Sequence, residues 1–338
     1  MIQLLWIIAF SAAIGASTAL DCVQIPPDQI RPLHGVKIPA GANETVEIPP
    51  NWSCTYLIKA PPMMMARVYL ENGLKGNNDR ITVLDQQGTR TIPLHLVDSL
   101  LRFSKYNHKI RSCNKKFRLD IFYQQLPDPE VTYLGNSSLK YFMLNSLKSP
   151  YRPPQMMIGT EPISLAIARS GWENDVFDNY FVVDGDFQNP KYVYRMSRFK
   201  YTDYISVTNK LTVIGLDNRV SESSVVFTPL SQTQQFDSLT AIGTYFEANQ
   251  LDIDGKNGSK KSRAVTVIGM QNYTRILSFD RSYEPGCVLK AVEAPPRSSS
   301  EVFYDFTTIT SLPGNITHKS FCIIAENCSA SFRMVSLD

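Results

Sequence analysis

Short runs of β-branched and aromatic residues recur along the whole chain, and Gly, Pro, Asn and Asp separate them. Few stretches keep the period of about 3.6 residues that a helix requires. Regularly spaced short strands with turn residues between them are typical of β-sandwiches. The pattern therefore predicts an all-β fold made of jelly-roll-type sandwiches. The clearest predicted strands are 68–70, 81–84, 117–123, 192–194, 211–214 and 265–268.

One strand pattern returns roughly every 100 residues. Residues 78–85 read Asn-Asp-Arg-Ile-Thr-Val-Leu-Asp, and related patterns surround Asp178 and Thr274. A second pattern agrees, because Phe and Arg follow Cys113 by four and five positions and follow Cys328 in the same way. Two patterns with a common period predict tandem modules.

We expect four divisions of the chain: a signal peptide over 1–19 and three modules over 20–128, 129–233 and 234–338. Two modules, the second of them long, are the alternative. The apolar run in the first segment is too short to span a bilayer comfortably and is followed by small residues, which indicates a secretory signal. An uncleaved N-terminal anchor is the competing interpretation. We therefore predict a secreted, extracellular protein.

Six cysteines remain after the predicted signal, and an even number in a secreted chain predicts disulfides. We favour a Cys22–Cys54 bridge, which would close a loop of about 30 residues and contribute roughly 3–4 kcal/mol. Zinc is the competing ligand, but no pair of cysteines has the usual spacing and the four histidines are scattered. The pairing of the other four stays open: Cys113, Cys287, Cys322 and Cys328.

Several Asn-x-Ser/Thr sequons agree with export and predict N-glycosylation. A further sequon at Asn327 is the poorest candidate, because its middle residue is a cysteine expected to be in a disulfide. The predicted acceptors are Asn43, Asn51, Asn136, Asn257, Asn272 and Asn315.

The net charge of +3 is close to balanced, which argues against a dedicated nucleic-acid binder. The densest basic stretch includes Lys109, Arg111, Lys115 and Lys116. In a hairpin, alternate residues of this stretch would form one positive face suited to anionic glycans. The favoured alternative is an edge strand whose lysines discourage unwanted strand pairing.

Four short motifs follow the predicted signal: Cys22, the Asn-Trp-Ser-Cys of 51–54, the Ala-Pro-Pro of 60–62 and the Ala-Arg-Val-Tyr of 66–69. In these motifs the first hundred residues after the signal resemble the nematode CUB-like domain family. The resemblance covers 22–123 well and the rest of the chain less well. The resemblance implies compact extracellular β-sandwiches that bind partners and take part in responses to pathogens.

Calcium-binding CUB domains place a Glu eight residues before the Asp of the repeated strand, and Glu71 and Asp79 match that spacing. The resemblance therefore makes these two residues candidate calcium ligands. Such domains add an Asp in a later loop, where this chain has Lys105. We therefore favour the alternative that the ammonium group of Lys105 pairs with both carboxylates, and that the acids of the repeated strand satisfy turn amides. No cofactor is predicted.

The sequence contains none of the common catalytic motifs, and paired cysteines leave no cysteine nucleophile. We therefore expect a non-catalytic binding protein with an extracellular protein or glycan as partner. A structural component of a secreted or surface matrix is the second hypothesis, and a secreted enzyme is the third.

Overall fold

The computed structural model describes residues 25, 27–32, 34–48, 52–59, 61, 63–73, 80–85, 88–92, 98–103, 105–112, 115–147, 152–170, 176–216, 221–282, 284–297, 299–309, 311–312 and 314–338. The predicted signal peptide lies outside these ranges. Strands dominate the described residues, and the helical turns among them are short 3-10 helices. The all-β prediction is therefore confirmed, and each of the six clearest predicted strands lies in an observed strand. None of the described helices is long and apolar enough to cross a bilayer.

The first segment, 20–128, contains one 3-10 helix, Pro27–Gln29, and nine described strands. Its strands are β1 Gly35–Ile38, β2 Val46–Ile48, β3 Trp52–Lys59, β4 Met64–Gly73, β5 Arg80–Asp85, β6 Gly88–Ile92, β7 Asp98–Phe103, β8 Lys105–Ser112 and β9 Lys115–Gln125. They form one sheet in the order β1-β9-β4-β7, with β2 also on β9, and a second in the order β3-β8-β5-β6.

The second segment, 129–233, also has nine described strands. They are β10 Glu130–Tyr133, β11 Lys140–Met143, β12 Gln155–Ile158, β13 Ile163–Arg169, β14 Tyr180–Gly185, β15 Pro190–Arg195, β16 Tyr204–Ile205, β17 Lys210–Gly215 and β18 Ser224–Pro229. Its 3-10 helices are Leu144–Leu147, Val176–Asn179, Met196–Phe199 and Leu230–Gln232.

The third segment, 234–338, has eight described strands. They are β19 Ser238–Thr244, β20 Asn249–Asp254, β21 Ser262–Gly269, β22 Tyr273–Arg281, β23 Val288–Glu293, β24 Val302–Asp305, β25 Ser320–Glu326 and β26 Ser329–Leu337. Strands β20, β26 and β22 form a three-stranded sheet of their own.

Alternation along the strands decides which side chains form the core. In β4, Val68 and Leu70 are buried whereas Tyr69 between them is 44% exposed. In β9, Leu119 and Ile121 are fully buried. Side chains of a strand point to opposite faces in turn, so each of these strands buries one face against the interior.

In the second and third segments, apolar residues of two sheets meet in one core. The core of the second segment joins Val182 and Val213 of one sheet to Leu165 and Phe227 of another. The core of the third segment likewise contains residues from two sheets, among them Phe332 and Phe321. Each of the two segments is therefore a β-sandwich, which is the arrangement that the sequence pattern predicts.

The first and second segments share the same strand order in the described residues. The sheet β3-β8-β5-β6 corresponds to β12-β17-β14-β15, and the pairing of β9, β4 and β7 corresponds to that of β18, β13 and β16. In the third segment the last strand, β26, lies between β20 and β22, which is the position that β8 has between β3 and β5 in the first segment. The strands that follow Cys113 and Cys328 are β9 and β26. They are similar in sequence but differ in position, because β9 lies between β1 and β4. The number and boundaries of the modules stay predictions.

A small apolar core joins the first segment to the second. Met65 and Leu126 pack with Phe181, Val183 and Phe187 of the second segment. The backbone N–H of Leu126 donates to the carbonyl of Met63 at 2.7 Å, which holds the connecting chain against this core. Methionine is flexible and fills irregular gaps, so Met65 can pack closely against the side chains of the second segment.

One nine-stranded sheet runs through the second and third segments in the order β11-β18-β13-β19-β21-β25-β23-β24, with β16 also on β13. The junction is a short parallel pairing in which Ala168 lies opposite Ala241 and Arg169 opposite Ile242. Gly243 lies beside this junction, where a Cβ would be 3.3 Å from the carbonyl oxygen of Ala168. The absence of a side chain at Gly243 therefore allows the two strands to approach closely.

Candidate functional site

An open cleft of about 520 Å³ lies at the junction between β13 and β19. The second segment contributes the end of β13 and the residues after the 3-10 helix Met196–Phe199, and the third contributes β19 and the start of β20. We call it the seam cleft. Its polar and charged lining residues are Arg169, Lys200, Tyr201, Thr202, Thr240, Glu247, Asn249, Gln250 and Asp252.

Three side chains of the second segment form a cation–tyrosine cluster on one wall of the seam cleft. The guanidinium carbon of Arg169 lies 4.7 Å from the centre of the Tyr201 ring, and Lys200 Nζ lies 5.2 Å from it. Tyr201 is 72% exposed. Hydrogen bonds from Arg169 and Lys200 hold the pKa of the Tyr201 hydroxyl below its ordinary value, because both cations stabilise the phenolate.

One donor of the cation–tyrosine cluster has no partner within the described residues. Arg169 Nη1 is inaccessible to solvent and meets no hydrogen-bond acceptor there. A buried N–H that is left unpaired costs about 1–3 kcal/mol, and more when the group is charged.

The third segment contributes acids and amides to the lining of the seam cleft. Glu247 and Asp252 lie on the third segment, and Gln250 Nε2 donates to Asp252 at 3.1 Å. Asn249 Nδ2 donates to the carbonyl of Gly243 at 2.9 Å, which fixes the orientation of its amide. The cleft thus receives its two cations from the second segment and its two acids from the third.

A second cluster in the same segment has a different character, because its charge is enclosed. Asp184 is fully buried and accepts hydrogen bonds from Tyr204 Oη at 2.6 Å, from Thr208 Oγ1 at 2.7 Å and from the backbone N–H groups of Val207 and Thr208 at 2.7 and 3.1 Å. We call these four residues the Asp184 cluster. Burial is the main cause that raises the pKa of Tyr204, and the carboxylate of Asp184 adds to it.

The acids of the repeated strand are engaged by neighbouring polar groups in the second segment. Asp184 ends the predicted strand and binds loop amides, and Asp178 at its start accepts a hydrogen bond from Ser197 Oγ at 2.6 Å. In the third segment Thr274 is fully buried, and its hydroxyl lies 3.4 Å from those of Thr244 and Ser336. These contacts fit the interpretation that the acids stabilise the ends of the strand.

The carboxylate of Glu71, one calcium candidate, lies 3.4 Å from Arg118 Nε. Arg118 also lies 3.2 Å from Asp120. The cation beside Glu71 is therefore an arginine of β9, whereas Lys105 was expected. Asp79 and the side chain of Lys105 lie outside the described part. Within the described residues, no three His, Cys, Asp or Glu side chains are grouped so that they would hold a metal ion.

The basic stretch does not form one face of a hairpin. Lys109 and Arg111 lie on β8, between β3 and β5, whereas Lys115 and Lys116 lie on β9 in the other sheet. Both strands are paired on both sides, so the edge-strand alternative is also wrong. The chain crosses from one sheet to the other between β8 and β9, which separates the two pairs of basic residues.

All six cysteines were expected to form disulfides, and Cys322 does not do so within the described residues. Cys287 and Cys328 are bridged, with a Cα–Cα distance of 5.1 Å. Within the described part of the chain Cys322 is a free thiol, fully buried in β25, with its sulfur 3.4 Å from Thr266 Oγ1. Burial raises the pKa of this thiol to about 12, which makes it inert. Cys22 and Cys113 lie outside the described residues, as does the side chain of Cys54, so the Cys22–Cys54 bridge stays a prediction.

Five of the predicted glycosylation sites lie on exposed residues: Asn43, Asn136, Asn257, Asn272 and Asn315. The sixth, Asn51, lies outside the described residues. Glycosylation itself stays a prediction.

Residues 17–127 match the CUB-like domain family. The chain therefore contains a CUB-like domain in its first third. The CUB1-EGF-CUB2 domains of rat MASP-1 are structurally similar at 9% identity and a TM-score of 0.25, covering 61% of this chain and 99% of the rat chain. The corresponding human MASP-1/3 domains give 10% identity and a TM-score of 0.21, covering 55% of this chain and 99% of theirs. No curated protein is significantly similar in sequence.

Sequence reasoning missed the seam cleft. Lys200 is the chain neighbour of Tyr201 and was a visible signal, whereas Arg169 reaches the ring from a strand more than thirty residues earlier. The antiparallel pairing of β16 with β13, in which Leu165 lies opposite Tyr204, brings these two stretches of the chain together.

Proposed function

We propose that this chain is a secreted, glycosylated binding protein of three CUB-like modules that acts without catalysis and holds its partner in the seam cleft. The CUB-like domain in 17–127 supports the general class, because CUB modules typically bind extracellular partners. The resemblance to the nematode family adds defence against pathogens as the biological setting.

The seam cleft carries the proposal. It lies between two sandwiches, combines an exposed tyrosine with charged and amide side chains, and is large enough for a small ligand or for a side chain of a partner. Binding sites lie preferentially at such junctions, where concave surface and convergent polar groups coincide.

The lining of the seam cleft supports binding more than chemistry. A nucleophilic mechanism needs a hydroxyl or thiol held next to a general base. The lining residues include neither histidine nor cysteine, and the side-chain hydrogen bonds described for them hold amides in position.

The test is to block the seam cleft and measure binding. Ala248 is exposed at the cleft, so Ala248→Trp would place a large ring in it, and Ala248→Ser is the matched control. The secreted full chain is applied to arrays of extracellular proteins and glycans. We expect binding that Ala248→Trp removes and Ala248→Ser keeps.

Binding that Ala248→Trp leaves unchanged would contradict the seam cleft as the site. Sedimentation of the same preparations distinguishes a binding protein from a matrix component, because a matrix component self-associates in the absence of a ligand. Self-association without any bound ligand on the arrays would overturn the binding function.

A further inference from the structure

The outer face of the sheet β1-β9-β4-β7 carries two aromatic rings that are open to solvent. Val68 and Leu70 of β4 are buried, so Tyr69 between them lies on the outer face, where it is 44% exposed. Phe122 of β9 lies on the same face and is 40% exposed, with its ring centre 5.7 Å from that of Tyr69. The two rings form one apolar surface, which we call the aromatic pair.

The second segment covers one end of this outer face. Met65 lies on the same side of β4 as Tyr69 and is buried in the small core that joins the first segment to the second. The aromatic pair lies next along the strands, because Phe122 is opposite Arg67 and Tyr69 is opposite Asp120. The exposed rings therefore continue an interface that the molecule already has.

A predicted glycosylation site lies on the same face, beyond the aromatic pair. The carbonyl of Asn43 accepts a hydrogen bond from Arg118 Nη1, and Asn43 Oδ1 accepts one from Lys37 Nζ. Arg118 and Lys37 alternate with buried residues of their strands, so both lie on the outer face. Asn43 itself is exposed. These two cations hold the asparagine beside the outer face.

The strand register places Asn43 close to the aromatic pair. Lys37 lies opposite Asp120 of β9, and Tyr69 lies opposite the same residue on its other side. Neighbouring strands are about 4.8 Å apart, so the backbone of Tyr69 is about 10 Å from that of Lys37. Lys37 engages the side-chain oxygen of Asn43, whereas an N-glycan is attached to the amide nitrogen. The first sugars of such a glycan are within reach of the aromatic pair.

The outer face has the chemistry that an N-acetylglucosamine ring needs. A pyranose ring presents C–H groups on its face, which pack on aromatic rings, and it carries hydroxyl and acetamide groups at its edge. The aromatic pair supplies the apolar area, and Tyr69 adds a polar tip. The ion pairs of Arg118 with Glu71 at 3.4 Å and with Asp120 at 3.2 Å make the surface between Asn43 and the rings polar.

We propose that the core of an N-glycan on Asn43 packs across Tyr69 and Phe122 and covers the part of the outer face that the second segment leaves open. This inference rests on the proposed function only through the glycosylation of the secreted chain, and it is independent of the seam cleft. The occupant is part of the same molecule, so no partner protein is required to shield the aromatic pair.

Hydroxyl-radical footprinting of the secreted full chain tests this contact, because the oxidation rate of a side chain follows its exposure. Thr45→Ala removes the sequon and keeps Asn43, and Thr45→Ser keeps the sequon as the matched control. We expect Tyr69 and Phe122 to be oxidised about twofold faster in Thr45→Ala than in the wild type or Thr45→Ser, since a sugar on one side of a ring removes roughly half of its accessible area. Tyr192, 41% exposed in the second segment, is the internal reference and should not change.

Thermal unfolding gives a second test, which also serves if Thr45→Ala is not secreted. Peptide-N-glycosidase F removes the glycans from the folded wild type and from folded Tyr69→Thr. We expect Tyr69→Thr to lower the Tm by about 2 °C more in the glycosylated chain than in the deglycosylated chain, because the effects of two groups in contact do not add.

Equal oxidation of the aromatic pair in the wild type and Thr45→Ala, or additive effects on the Tm, overturns the inference. So does a mass spectrum of the secreted chain that shows Asn43 without a glycan. Protection that persists in Thr45→Ala and rises with protein concentration would assign the surface to a second copy of the chain, and it also overturns the inference. The Ala248→Trp test decides binding at the seam cleft separately, so the two failures are distinguishable.

Discussion

The second segment carries two clusters that each combine a tyrosine hydroxyl with charged side chains, and they differ in how their polar atoms are satisfied. In the Asp184 cluster, one buried carboxylate accepts four hydrogen bonds from its own surroundings. In the cation–tyrosine cluster, the ring is 72% exposed and Arg169 Nη1 meets no acceptor in the described residues. The first arrangement is satisfied within the fold, whereas the second leaves an aromatic ring open to solvent beside two cations.

The largest expected effect is the loss of the buried carboxylate. Asp184→Ala leaves the amides of Val207 and Thr208 and two hydroxyls without their acceptor, so we expect a loss of about 3–5 kcal/mol of unfolding free energy. Arg169→Gln is the counterpart in the other cluster and should cost less than about 1 kcal/mol. Urea denaturation of both variants measures the difference. Similar losses would show that the two clusters share a structural role.

Removing the disulfide tests whether ligand binding in the seam cleft depends on the stability of the third segment. Cys287 and Cys328 are 41 residues apart, so replacing both with serine should cost about 2–4 kcal/mol by releasing loop entropy in the unfolded chain. The bridge is not part of the cleft lining, so ligand binding at a temperature where the variant is folded should stay within about twofold.

If the variant without the disulfide were folded but no longer bound the ligand of the seam cleft, binding would depend on the bridge, which contradicts this expectation. Cys322→Ala serves as a control, because it removes a buried sulfur of the same segment without opening a covalent loop.

A matched pair of tyrosine variants sharpens the comparison. Tyr204→Phe removes the 2.6 Å hydrogen bond to Asp184 and should cost about 1–2 kcal/mol, because the acceptor is charged and enclosed. Tyr201→Phe removes an exposed hydroxyl and should stay within about 0.5 kcal/mol. Thermal or urea unfolding distinguishes them. A larger loss for Tyr201→Phe would reverse the assigned roles.

The Asp184 cluster and the strand that carries it were largely predictable from sequence. The apolar run between Asp178 and Asp184 gives a buried strand bounded by acids, and strand-end acids commonly satisfy loop amides. The seam cleft was not predictable, because it depends on two pairings of β13: with β16, which brings Tyr201 near Arg169, and with β19, which adds the third segment. Local spacing carries no information on which sheet edges join.

The cysteines and the basic stretch show two further limits of the sequence pattern. An even count predicts pairing, yet β25 is buried on both faces, and Cys322 lies in the interior beside Thr266, where it packs as a small apolar residue. The basic residues looked continuous along the chain, but β8 and β9 lie in different sheets. In both cases tertiary position overrides what is counted along the sequence.

The smallest expected effect is in the titration of the two tyrosines. The Tyr201 hydroxyl has a lowered pKa because Arg169 and Lys200 stabilise its phenolate, so it should ionise before an ordinary tyrosine, whose pKa is about 10. Tyr204 has a raised pKa, so its contribution to stability is complete below pH 10 and decreases above it, since the unfolded chain then releases a proton that the folded chain retains.

Ultraviolet difference spectra of the wild type and of Tyr201→Phe and Tyr204→Phe separate the two hydroxyls. We expect the earliest ionisation step to disappear in Tyr201→Phe, and we expect Tyr204→Phe to remove a step that coincides with alkaline unfolding. An earliest ionisation step that persists in Tyr201→Phe would contradict the lowered pKa of Tyr201, because another tyrosine would then ionise first.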